Sequence, residues 1–179
     1  MKMSDNKKEQ AGKGLGKNAS EVIMGLVNLN HGMATNLVGV CIIILTFFLG
    51  LTFQSGYLNN ILFQVVIAII VVDFASFGLS GLYYSLYESS FISNDERKNI
   101  AILKKADNAL TLGLILIWQD PALITLALGI YWVALLGFAL SFTVLGIAFY
   151  EIRQHKVHFI VANVYMHYLQ NPESYKDSN

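Results

Sequence analysis

Between Ala109 and Tyr150 the chain carries a single charge, Asp120, over some 40 residues. As one α-helix this block would be about 60 Å long, twice the hydrocarbon core of a bilayer, so it must divide into two helices. Two other apolar stretches precede it: Leu37 to Phe53, with no charge, and Ile61 to about Leu86, with Asp73 alone. The apolar residues run in continuous blocks and lack the alternation of a membrane barrel strand. Charged residues make up 13% of the 179, against about a quarter in a soluble domain. Too few charges remain to coat a water-facing surface. The expected fold is an all-α integral membrane protein with four transmembrane helices. They form a single domain over residues 20–170, between a disordered tail at 1–19 and a short tail at 171–179.

The basic residues set the expected orientation. Lys2, Lys7, Lys8, Lys13 and Lys17 precede the first span; Arg97, Lys98, Lys104 and Lys105 lie between the second and third; Arg153, Lys156 and Lys176 follow the fourth. These are all 12 Lys and Arg, and none falls at Gln54–Asn60 or between spans three and four. By the positive-inside rule both termini and the central loop are cytoplasmic, in a multi-pass protein of the cell membrane. The outer face is then two short loops, and contact with a soluble partner falls to the cytoplasmic side.

Spans three and four admit two registers. In one, Asp120 and Pro121 open span four as N-cap and first helical residue, and the turn lies at Gln119–Asp120. In the other, Gly129 ends span three, Tyr131 and Trp132 sit at the interface, Pro121 is a kink and Asp120 is deep in the membrane. Span lengths favour the second. Local start chemistry and the cost of burying a carboxylate favour the first, which is the expectation taken here.

Shorter elements complete the picture. Ser20 and Glu21, followed by Val22, Ile23, Leu26, Val27 and Leu29, read as a short interfacial helix before span one. Val157 to Leu169 is apolar and aromatic, too short to span, and stopped by Asn171-Pro172; it suits a second interfacial helix or a partner surface. Tyr83, Tyr84 and Tyr87 suit an aromatic belt. The one cysteine, Cys41, excludes an intrachain disulfide and reads as a small packing residue. No apolar core with a small-residue cleavage site follows the N-terminus closely, so no removed signal peptide is expected.

Two constellations can carry chemistry. Asp73 lies about 13 residues into span two, roughly 20 Å by helical rise, where a carboxylate is costly and marks a functional site by default. Ser76 and Ser80 follow on its stripe at i+3 and i+7. With the turn at Gln119, Lys104 and Lys105 reach a similar depth on span three, with Asp107 nearby, and a lysine is the expected partner of Asp73. The pairing serves either as a proton or cation site or as a polar clasp that fixes helix register. The second constellation is Glu151, His155 and His158, spaced i, i+4, i+7 on one helical face, a usable ligand set for a transition-metal cofactor. No second histidine cluster accompanies it, as a membrane di-iron enzyme would require.

The chain has no phosphate-binding glycine loop, no nucleophile elbow, no cysteine pair and no haem-attachment motif. Its net charge of zero argues against a nucleic-acid partner. The leading expectation is a non-catalytic subunit or scaffold of a larger membrane complex, partnered by the bilayer and by other subunits or copies of itself. The second is a small oligomeric channel or proton- or cation-coupled transporter using Asp73. The third is a membrane metalloenzyme or redox-complex component using the histidine face.

Overall fold

The computed structural model describes residues 3–55, 60–90, 96–155 and 160–170, with side chains for 20–51, 60–89, 97–147, 150 and 160–169. The described residues form helices and their connecting turns, with no strand among them. The helices are α1 (Met3–Ser55), α2 (Ile61–Ser90), α3 (Glu96–Ile117), α4 (Asp120–Ala127), α5 (Tyr131–His155) and α6 (Val161–Gln170). Three stretches are long and apolar enough to cross a membrane: Ser20–Leu51, Ile61–Ser89 and Arg97–Ala127, the last combining α3 and α4. The apolar part of α5, Tyr131–Ile147, is shorter.

One packing rule organises α1, α2 and α3. On α2 the buried positions include Phe63, Val66, Ile70, Asp73, Phe77, Ser80, Tyr84 and Tyr87, at alternating spacings of three and four. On α1 the buried set includes Val27, Ala34, Cys41 and Phe48, seven apart, and on α3 Asn99, Leu103, Ala106 and Leu110 repeat the pattern. A 3.5-residue period keeps one seam facing its partner along the full length, as in coiled coils. The pairs are antiparallel. Phe48 stacks on Phe63 with ring centroids 5.0 Å apart, while Asn30 meets Tyr84 at the other end of the α1–α2 pair. Gly113 lets α3 approach α2 closely: a Cβ there would stand 2.7 Å from a Phe77 ring carbon.

The core divides in two. Where α1 gives way to α2, Phe48, Phe63, Val66 and Ile70 pack against Ala127, Leu123 and Ile124 of α4. Where α2 gives way to α3, Ile23, Val27, Phe77, Tyr84, Tyr87 and Leu103 pack with Val161, Ala162 and Tyr165 of α6.

The register of the long apolar block is the second of the two, against the expectation. Pro121 has no N–H to give to the preceding turn and its ring displaces that turn's carbonyl, so the helix breaks at Trp118–Gln119. The freed Trp118 carbonyl accepts a hydrogen bond from Ser141 Oγ of α5 at 2.7 Å, the kind of repair that makes a proline break tolerable inside a membrane. The chain turns later. The Ile130 N–H bonds to the Thr125 carbonyl (2.9 Å) and the Gly129 N–H to that of Leu126 (3.0 Å), a Schellman end in which Gly129 takes φ +78°. Asp120 is only 1% exposed. It is buried at a kink and does not sit at a turn.

Other expectations change too. Residues 20–29 form no separate interfacial helix; they continue α1, with Ile23 and Val27 in the core. Tyr84 and Tyr87 are fully buried and belong to the heptad seam, not to an aromatic belt. The short helix after the fourth apolar stretch does form, as α6, and docks on α1 and α3. α5 packs on α4 through a narrow stripe of Ala134, Gly137 and Ser141, and Trp132, Leu136, Leu140 and Phe142 face outward.

Candidate functional site: a buried carboxyl pair

Asp73 occupies a core position of the α2 heptad seam, between Ile70 of one apolar cluster and Phe77 of the other. The break in α3–α4 brings Asp120 to the same place. Both residues are buried, at 0% and 1% exposure, and their carboxyl groups lie within hydrogen-bonding reach of each other. No hydrogen-bond donor of the described residues reaches any of the four carboxyl oxygens. Oε1 of Gln119, the residue before Asp120, is buried without a partner as well. Cys41 of α1 completes the surroundings: it is fully buried and near enough to interact with both carboxyl groups.

The lysine partners expected for Asp73 are elsewhere. Lys104 and Lys105 are exposed on α3, and Lys105 Nζ sits 5.8 Å from the centroid of the Tyr83 ring. The reason is register. Phe77 stands against Gly113, and Tyr84 bonds to Asp107, so Asp73 falls beside the far end of α3. Lys104 and Lys105 are then roughly 18 Å away along the bundle, by helical rise. Depth counted from an assumed turn at Gln119 put them too close. Ser76 and Ser80 are buried on the face of α2 that carries Asp73, and Ser80 Oγ donates to the Ala106 carbonyl at 3.0 Å.

Asp107 belongs to a second polar centre, further along the bundle at Tyr84. Its Oδ1 accepts from the Tyr84 hydroxyl at 2.6 Å and its Oδ2 from the Ala162 N–H at 2.8 Å. Asn30 Nδ2 in turn donates to the Tyr84 oxygen at 3.1 Å. One carboxyl group thus ties α1, α2, α3 and α6, and caps the N-terminus of α6 from another helix, where a negative charge meets the positive end of the helix dipole. Nearby, His31 Nδ1 pairs with Glu88 Oε1 at 3.1 Å.

The histidine face of Glu151, His155 and His158 lies outside the residues whose side chains are described. Among those that are described, no three His, Cys, Asp or Glu side chains converge to hold a metal ion. Asp120 was missing from the candidate site residues, although the sequence holds a signal for it: a carboxylate beside a proline within an apolar block. No protein family, characterised protein or solved structure was found to match the chain.

Proposed function

We propose that the chain is a small proton-coupled membrane transporter or channel whose coupling site is the Asp73–Asp120 pair. The observation that carries this reading is the pair itself: two neighbouring carboxyl groups, buried, with no donor among the described residues. Two negative charges so placed repel strongly in a low-dielectric interior, and neither has a hydrogen bond to offset the loss of water. A positive charge between them removes both costs, and a proton fits a site at which, among the described residues, no set of three metal ligands converges. The broken helix adds support, because interrupted helices at membrane depth place polar groups where solutes and ions bind. In this reading α1, α2, α3–α4 and α5 are four spans, both termini are cytoplasmic, and the basic residues of the sequence support that orientation.

The test uses the whole protein reconstituted in liposomes and an apolar carbodiimide, which reacts with protonated carboxyl groups. Asp73 or Asp120 is expected to be the modified residue by peptide mass spectrometry, and proton uptake driven by a membrane potential is expected to stop. Labelled liposomes that take up protons as fast as unlabelled ones would remove the pair from any coupling role.

A second reading is a non-catalytic subunit of a membrane complex, and α5 supports it. Trp132 is 80% exposed and Leu136, Leu140 and Phe142 are each more than 60% exposed. A helix held by one narrow stripe offers the rest of its surface to lipid or to a neighbouring membrane helix. Co-purification of stoichiometric partner chains in mild detergent is the expected outcome for that reading; a homogeneous single-chain particle counts against it.

A further inference from the structure

Resting on the proton-coupling reading, we infer that α2 carries the route by which protons reach the Asp73–Asp120 pair, running through Ser76, Ser80 and Tyr84 to Asp107. The four α2 residues succeed one another at intervals of three or four and are all buried. That spacing stacks them on one helical face, with neighbouring Cβ atoms about 5–6 Å apart. Such a row is unexpected in a seam that otherwise holds Phe63, Ile70 and Phe77, since each buried hydroxyl costs free energy unless it is hydrogen-bonded.

The two ends of the row differ in a way that suits transfer. At the Asp107 end every polar group is engaged, with Tyr84 already donating its hydrogen to Oδ1 at 2.6 Å. At the Asp73 end no donor of the described residues is present, so a proton arriving there finds open acceptor oxygens. Asp107 is 3% exposed, and the flanking Lys104 and Asn108 are exposed, so water comes within one turn of it. When Asp107 Oδ1 takes up a proton it no longer accepts from the phenol; the Tyr84 hydroxyl turns its hydrogen toward Ser80, and that hydrogen leaves as the Asp107 proton passes to the phenol oxygen. The phenol is neutral before and after, and one proton has moved one turn. Bridging water would carry the proton between successive hydroxyls of the row, hydrogen-bonded to both oxygens.

The other titratable groups near the row are few. Cys41 lies buried on α1 near the carboxyl pair, Tyr87 lies one turn beyond Tyr84 on α2, and α4 contributes Asp120 itself. His31 and Glu88 are paired with each other across α1 and α2, and α6 presents backbone N–H groups to Asp107.

The experiment compares Tyr84→Phe, Ser80→Ala and Asp73→Asn with the parent in liposomes carrying an internal pH dye and a potassium-diffusion potential. Carbodiimide labelling of the pair is read on the same samples. Tyr84→Phe and Ser80→Ala should each slow proton uptake by roughly tenfold, the scale on which a positioned proton-transfer group acts. Labelling of the pair at equilibrium should be unchanged, because the site itself is intact. The outward-facing Thr143→Val controls for reconstitution and should match the parent. Parental uptake in both Tyr84→Phe and Ser80→Ala, with uptake abolished in Asp73→Asn, overturns the route and leaves the carboxyl pair standing. Parental uptake in Asp73→Asn, or a parent no faster than empty liposomes, overturns both. If Tyr84→Phe does not fold, Ser80→Ala alone decides.

Discussion

Asp73 of α2 and Asp120 of α4 bring their carboxyl groups together at the boundary between the two apolar clusters, and the described part of the protein supplies no donor to either. Asp107, by contrast, is held by a phenol and a helix N-terminus on neighbouring turns. The same residue type thus stands in two settings: one carboxyl group is fully hydrogen-bonded and ties helices together, while a pair is left open to a cation.

The first consequence concerns stability. Asp120→Asn removes one of two adjoining like charges and supplies an amide N–H that Asp73 can accept. A hydrogen bond to a charged group contributes about 1.5–3 kcal/mol. The melting midpoint in detergent should rise by several degrees relative to the parent, even as proton coupling is lost. A midpoint below that of the parent would show that the carboxyl groups do not oppose each other.

Lys104 and Lys105 are exposed and remote from Asp73, so changing both to Met should leave the fold unburdened. Exposed substitutions of this kind shift stability by about 0.5 kcal/mol or less. A thermal melt of the double variant is expected to overlay the parent. A loss of about 3 kcal/mol or more, the cost of breaking a buried ion pair, would reinstate a lysine as the partner of Asp73.

Register is open to direct labelling. In a Cys41→Ala background, a cysteine placed at Asp120 should resist a membrane-impermeant thiol reagent in intact liposomes, and one placed at Tyr131 should react. Tyr131 is 66% exposed beside the Gly129 turn, and Asp120 is 1% exposed. The reverse pattern would move the turn to Gln119–Pro121.

Asp107→Ala leaves the Tyr84 hydroxyl and the Ala162 N–H buried without their acceptor, at a cost of about 1–3 kcal/mol for each. Amide exchange over residues 161–170 should accelerate by orders of magnitude as α6 undocks. Asp107→Asn keeps one carbonyl acceptor and should retain much of the protection. Unchanged exchange in Asp107→Ala would mean that α6 is held by its apolar face alone.

The membrane character was legible because it is additive: long runs of apolar residues are read by summation, and three of the structure's apolar stretches satisfy length and composition without reference to one another. Asp73 was legible for the same reason, as one charge in a run that otherwise has none. The heptad at 63, 66, 70, 73, 77, 80, 84 and 87 is also present in the sequence, but in a run where nearly every residue is apolar the period has little contrast.

What tertiary structure decided is which polar residues meet. Local rules at Asp120-Pro121 describe a good helix start, and α4 does start there; whether the chain also turns depends on what Asp120 faces and on Ser141 capturing the Trp118 carbonyl from another helix. The partner of Asp73 likewise follows from the antiparallel register of α2 and α3, set by the fit of Phe77 against Gly113 and of Tyr84 against Asp107. A shift of a few residues in that register moves a side chain by a helical turn or more, which exchanges a lysine for a carboxyl group as neighbour. Composition is a sum along the chain and survives such a shift; a contact is a coincidence of two helices in space, and only their packing fixes it.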